Sequence, residues 1–142
     1  MNAEVLLTRN LPKGLNSTLL FLSKQEVLDI HAKGIVEFGG SLGLRDESAL
    51  ESALAAAEQR HFYENADLAT CAATYAFHLS QAHAFVDGNK RAAAAVSEIF
   101  LEINGGRLVL TNAQIVDLFL RIAEGELSRD HVDRVFTQSV VV

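Results

Sequence analysis

The feature that most limits what this chain can become is a short polar loop set between two long apolar runs of helical period. On one side, Leu68, Cys71, Ala72, Tyr75, Ala76 and Leu79 recur at helical spacing within Asp67 to Ala82. That run is apolar nearly all round, which predicts a central, buried helix. On the other side, Val96, Ile99, Phe100 and Ile103 fall at i, i+3, i+4 and i+7 of a helix from Asn89 to Asn104, and Gly105-Gly106 supply its stop. Ala92 to Ala95 are strong helix formers whose small side chains let the two helices approach closely. Between the runs stands His83-Ala-Phe-Val-Asp-Gly-Asn-Lys-Arg91.

That loop carries the components of a phosphoryl-transfer site. Its Asn-Lys-Arg end opens a helix, where unpaired backbone N–H groups and the helix dipole favour an anion. Lys90 and Arg91 oppose the dipole of an isolated helix, and a bound phosphate reverses that penalty. Asp87 offers oxygen to Mg²⁺, and His83 can take a proton near neutral pH. Taken singly, each residue has a plain structural reading: a surface histidine, an Asp-Gly turn, a solvated Lys-Arg pair. Nothing structural calls for all of them at these spacings. A charged, glycine-containing loop between apolar helices is where function is usually placed.

The rest of the chain reads as further helices around this pair. Ser23-Lys-Gln-Glu26 is a capping box opening a helix from Lys24 to Phe38, which stops at Gly39-Gly40. The run Gly39 to Gly43 follows a helix and lacks the Lys-Ser/Thr of a P-loop, so it reads as a loop after a helix cap rather than a phosphate cradle. Asp46 caps the next helix, with Leu50, Ala53, Leu54 and Ala57 inward, closing at Gln59 to Tyr63. Arg45 and Asp46 read as an ion pair at its start, His61 as a surface residue, and His78 as a satisfied core or boundary histidine. Arg107 to Leu110 form a short extended link. Thr111 or Asn112 caps a helix with Ile115, Leu118, Phe119 and Ile122 inward, ending at Gly125. Ser128 caps a last helix through Phe136, and Val140 to Val142 pack as an edge or stay free. Val5 to Thr8 is a weak candidate strand, and Pro12-Lys-Gly14 a turn within a loosely patterned lead-in over residues 1–20. The expected fold class is therefore all-α, a compact helical bundle with the loop between its two central helices.

Composition narrows the function. The 142 residues suit one domain. Their net charge of −6 opposes direct nucleic-acid binding, which rests on positive charge, but leaves a local phosphate site open. The single Cys71 lies in an apolar run and reads as buried filler, not as a metal or disulfide residue. No apolar run approaches a membrane span, and Met1-Asn-Ala-Glu lacks a basic leader, so a cytoplasmic protein is expected.

The loop resembles the signature of the Fic/Doc superfamily, H-x-F-x-[DE]-G-N-[GK]-R-x-x-R, at His83, Phe85, Asp87, Gly88, Asn89, Lys90 and Arg91. Within it, the chain is more similar to the death-on-curing (Doc) branch. Lys90 stands where the adenylylating Fic enzymes usually have Gly, and Ala94 stands where they have the second Arg. Phe21 to His31 and Gly39 to Leu54 also resemble Doc proteins, so the resemblance covers residues 21–142 as a Doc/Fic domain. Ala84 departs from a common Pro at a small cost in loop stiffness.

The resemblance implies a mechanism residue by residue. His83 is the general base that deprotonates a target hydroxyl, Phe85 anchors the loop in the core, and Asp87 holds Mg²⁺. Gly88 lets the backbone approach phosphate, Asn89 orients the phosphates, and Lys90 and Arg91 offset their charge. In-line attack then yields phosphate transfer if the γ-phosphate faces His83 and AMP transfer if the α-phosphate does. The missing Arg at Ala94 removes a clamp for the AMP-transferring orientation. The implied protein is a toxin of a type II toxin–antitoxin system, an ATP-dependent kinase that phosphorylates a hydroxyl of a translation elongation factor such as EF-Tu. Its implied partner is a Phd-like antitoxin with a disordered C-terminal segment. Two alternatives stay open: a Fic-type AMP-transferase, and a non-catalytic antitoxin-binding module.

Overall fold

The structure is a computed structural model, and it describes residues 19–142. The candidate strand at Val5–Thr8 and the turn at Pro12–Gly14 lie outside the described residues. Six helices and one small strand pair follow in the order α1 Lys24–Phe38, α2 Glu47–Glu64, α3 Leu68–Ala82, α4 Asn89–Ile103, β1 Arg107–Leu108, α5 Asn112–Ala123, α6 Arg129–Ser139 and β2 Val140–Val141. The all-α expectation holds.

Helix starts are set locally by side chains that satisfy the otherwise orphaned N–H groups. Ser23 and Glu26 form a reciprocal capping box at α1, and Thr111 and Gln114 another at α5. Asp46, Asp67 and Ser128 accept from the third residues of α2, α3 and α6. Burial then arranges the helices. α3 is central and packs against α2, α4, α5 and α6, as its nearly all-round apolar sequence requires. Its Cys71, Ala72, Ala73, Tyr75 and Ala76 are fully buried. Facing them on α4, Ala92 and Ala93 allow close approach, while Val96 and Phe100 fill the space beyond. Phe100 stacks on Phe21 and meets Tyr75 edge-on, ring centroids 5.5 and 4.9 Å apart.

The chain is tied into this bundle before α1 begins. Asn104, at the end of α4, donates to the Leu20 carbonyl at 2.9 Å and accepts from the Leu20 N–H at 2.8 Å. Leu19 and Leu20, read from sequence as lead-in, therefore pack on the core. At the other end α6 runs past Phe136 to Ser139, and β2 pairs antiparallel with β1, Arg107 opposite Val141. The extended link and the terminal valines are thus one hairpin-like ladder.

Three expectations are corrected. No ion pair joins Arg45 to Asp46; instead both backbone N–H groups donate to the Ala84 carbonyl, at 2.7 and 3.0 Å. His61 is half-buried, hydrogen-bonded through Nδ1 to the Ala66 carbonyl at 2.9 Å and packed on Phe21. His78 is a boundary histidine but not a satisfied one, since its buried Nε2 has no partner among the described residues. Cys71 is buried as expected, and burial pushes its thiol up to about 12.

Candidate active site

The α3–α4 loop begins with a backbone reversal. His83 takes the left-handed conformation, φ 48° and ψ 42°, which ends α3 and turns its own side chain outward. A non-glycine residue there stores roughly 1–2 kcal/mol of strain. The chain then dives inward: Ala84 and Phe85 are buried, and the Phe85 ring lies flat on His31 of α1, 3.7 Å between centroids and 5° between planes. Two clamps hold this dip. Asn89 donates from Nδ2 to the Phe85 carbonyl at 3.0 Å and accepts the Phe85 N–H on Oδ1 at 2.9 Å. His31 donates from Nε2 to the Asp87 carbonyl at 2.7 Å, which fixes its tautomer because a carbonyl only accepts.

His31 was not assigned a role from the sequence. It lay in a segment similar to Doc proteins, yet nothing local distinguishes a buried histidine that braces a distant loop from one that fills space. Asn89 is bonded within the loop. Both polar ends of its side chain already serve Phe85, leaving one amide hydrogen for an anion.

Asp87 is exposed and doubly bonded by backbone amides: Ser41 N–H to Oδ2 at 3.1 Å and Gly88 N–H to Oδ1 at 2.8 Å. These bonds, Ser41 first, hold its carboxyl below the usual range, with smaller help from Arg91 and His31. It is therefore ionised at neutral pH. The Gly39–Gly43 loop thus belongs to the site, though not as a phosphate cradle. It lies alongside the α3–α4 loop, with the Val86 N–H donating to the Gly43 carbonyl at 3.0 Å and Leu44 bridged to Phe85.

Gly88 then opens α4 at φ 74°, against Ile35 and His31. A Cβ there would come within 3.1 Å of Ile35 Cδ1, so the position needs glycine for both conformation and space. Lacking a side chain, Gly88 caps nothing. The amides of Asn89, Lys90 and Arg91 find no acceptor among the described residues. An uncapped start with three free N–H groups presents unpaired donors and the positive end of the helix dipole. Lys90 is exposed beside it, without a partner among the described residues. Arg91 is placed differently: its guanidinium donates to the carbonyls of Gly39 (3.0 Å) and Gly34 (3.4 Å) at the end of α1 and lies 5.3 Å over Phe38. Since α1 has no basic residue in its last turn, Arg91 supplies the missing cation from α4.

His83, Asp87, Gly88, Asn89, Lys90 and Arg91 border a single cavity of about 560 Å³, a size usual for small-molecule sites, roughly 300–1,000 Å³. Its far wall is an apolar face of α5 built around Ile115, Val116, Phe119 and Leu120. Ala94 opens into it. Phe85 stays behind the wall, in the core.

The comparisons with known proteins bear on this geometry. The Fic/DOC family model matches residues 21–101, from just before α1 to the last turn of α4. The chain belongs to the Fic/DOC family. It is 32% identical over 108 residues to "Protein kinase doc" of Escherichia phage P1, covering 75% of this chain and 85% of that protein. It is 38% identical over 90 residues to "Toxin Doc" of Mycolicibacterium smegmatis, covering 62% of this chain and 67% of that protein. The resemblance to the Doc branch is thereby shown, and the helical bundle around the loop is the fold expected of it.

A kinase-like member of this family uses a nucleotide, and the residues present suit Mg²⁺ brought in with one. Among the described residues no three His, Cys, Asp or Glu side chains converge as a metal cage. Mg²⁺ does not need one; it keeps waters and is held by one or two carboxylates plus substrate phosphates. Asp87, ionised, exposed and next to the free amides of α4, is the carboxylate that would hold it.

Proposed function

We propose that this chain is a Doc-like toxin: a protein kinase that moves the γ-phosphoryl group of Mg-ATP onto a hydroxyl of a translation elongation factor of the EF-Tu type and so arrests translation. His83 accepts the hydroxyl proton at the mouth of the cavity. The free amides of Asn89, Lys90 and Arg91 and the ammonium of Lys90 stabilise the phosphate charge. Asn89 adds its one remaining amide hydrogen, and Gly88 lets the backbone come close. Arg91 joins by exchanging the Gly39 carbonyl for a phosphate oxygen. Asp87 holds Mg²⁺, which neutralises phosphate charge when bound. The observation that carries this reading is that His83, Asp87 and the uncapped start of α4 share one cavity, in which Ala94 leaves room where a clamping Arg is expected in AMP-transferring relatives.

The relatives' names support a toxin, and a toxin implies an antitoxin. We assign the neutralising partner to a Phd-like protein whose disordered C-terminal segment folds onto this domain. The target places the activity in the cytoplasm; among the described residues no helix is long and apolar enough to cross a membrane.

The test is the intact mass of purified elongation factor after incubation with the protein and Mg-ATP. A gain of one phosphate is expected, and its absence from a His83→Ala sample that melts like wild type. A gain of AMP would replace the kinase with the AMP-transferase. No transfer to the factor or to any protein of a cell lysate would leave a binding module.

A further inference from the structure

One group bordering the cavity has no part in the mechanism above. Ser80 lies on α3, one turn before His83, and is fully buried at 0% exposure. Its hydroxyl has no hydrogen-bond partner among the described residues. Buried serines elsewhere in the bundle do find one: Ser97 donates to the Ala93 carbonyl one turn back, at 2.7 Å. The buried hydroxyl of Thr74 likewise donates to the Thr70 carbonyl at 2.7 Å. A buried hydroxyl left unpaired lowers stability, and where one persists next to a cavity it is a group with an unmet ligand.

Ser80 borders the same cavity as His83 and the start of α4. Away from the loop, the lining is apolar: Ala94 on α4 and the Phe119–Leu120 face of α5 among it. Among the described residues, Ser80 is the one polar side chain of that part. The cavity is thus divided chemically. The unpaired amides of α4 lie at one end, and the other is an apolar slot with the buried Ser80 behind its wall. A nucleotide is divided in the same way, with charged phosphates at one end and a flat base with a hydrogen-bonding edge at the other.

We infer that Ser80 is a specificity-determining residue that reads the base of the nucleotide. With the phosphates at the α4 amides, the base lies against the apolar face of α5, and the Ser80 hydroxyl turns about its single side-chain torsion to hydrogen-bond the base edge. A hydroxyl both donates and accepts, so it can meet a ring nitrogen or an exocyclic amine. The inference rests on the nucleotide-binding reading above.

The experiment compares full-length wild type with Ser80→Ala by calorimetric titration of Mg-ATP and of Mg-tripolyphosphate, which has the phosphates but no base, alongside thermal melts. Ser80→Ala is expected to weaken Mg-ATP about tenfold and to leave tripolyphosphate unchanged, because the phosphate end is untouched. It is also expected to raise the melting midpoint by about 2–4 °C, since it removes an unpaired buried hydroxyl. Equal ATP affinity in the two proteins would overturn the inference, as would parallel loss of both ligands, which would mean that the loop itself had moved. Wild type that binds neither ligand would overturn the nucleotide reading as well, so the two failures are distinguishable.

Discussion

His31 shows how a side chain far from the chemistry sets its geometry. It touches the loop twice, through its ring on Phe85 and its Nε2–H on the Asp87 carbonyl. The two contacts can be separated. His31→Phe keeps an aromatic partner for Phe85 but deprives the Asp87 carbonyl, and is expected to cost about 1–2 kcal/mol. His31→Ala also opens a cavity and is expected to cost about 3 kcal/mol. Urea unfolding measures both, and phosphate transfer should fall in both, because the Asp87 backbone loses its brace. A His31→Phe protein as active as wild type would mean that the stack alone positions the loop. The residue types of the site were readable in the sequence because phosphate chemistry needs a base, a carboxylate and cations at short spacing. Their partners were not. That Asn89 faces Phe85, and Arg91 the end of α1, follows only from how α1 and α4 meet.

At the level of elements, the helices were legible because their ends are written locally. Ser23 with Glu26, Asp46 and Ser128 cap where their sequence pattern placed them, and of Thr111 and Asn112 it is Thr111 that caps α5. Long-range pairings were not: β1 with β2, and the Gly39–Gly43 loop with the α3–α4 loop, join segments with no local signal. The second pairing makes its own prediction. Gly40 sits at φ 116°, and a Cβ there would stand 2.6 Å from Asp87 Oδ2 and 3.1 Å from Ile35 Cδ1. Gly40→Ala is therefore expected to cost about 1–3 kcal/mol in strain and to push the loop off Asp87. Losing the Ser41 N–H removes the foremost cause of the low Asp87 pKa. Carboxyl NMR titration should show Asp87 moving up toward the ordinary carboxylate range in Gly40→Ala; an unmoved Asp87 would show that the loop tolerates the methyl group in place.

Across the whole molecule, the bundle is closed by polar contacts that its apolar pattern does not reveal. Arg60 of α2 reaches Asp133 of α6 with two bonds of 3.0 Å and donates to Thr74 of α3 at 3.0 Å, tying three helices at one partly buried point. Asp133→Ala removes both of its bonds to Arg60, leaving Arg60 to Thr74 and Glu64, and is expected to cost about 2–3 kcal/mol, read by urea unfolding. The same region makes stability depend on pH. His78 has its pKa lowered by burial first, then by Arg129 and Arg60, with Asp133 opposing. The folded protein therefore binds fewer protons at this site than the unfolded chain does. Its contribution to stability is intact above the ordinary histidine value, about 6.5, and declines as pH falls from there toward the lower folded value. Glu98 works in the opposite direction. Burial first, and then Glu102, raise its pKa, so at neutral pH the charged form carries a penalty that protonation on acidification relieves. The two can be read apart in melts from pH 7.5 to 4. His78→Gln should flatten the loss of melting temperature just below pH 6.5. Glu98→Gln should raise the melting temperature at pH 7.5 and lose that advantage at the acid end, where wild-type Glu98 is already neutral. If His78→Gln followed the wild-type curve, the acid sensitivity would lie elsewhere, with Asp87 the next group to test, since its lowered pKa makes its own loss begin only once carboxylates protonate.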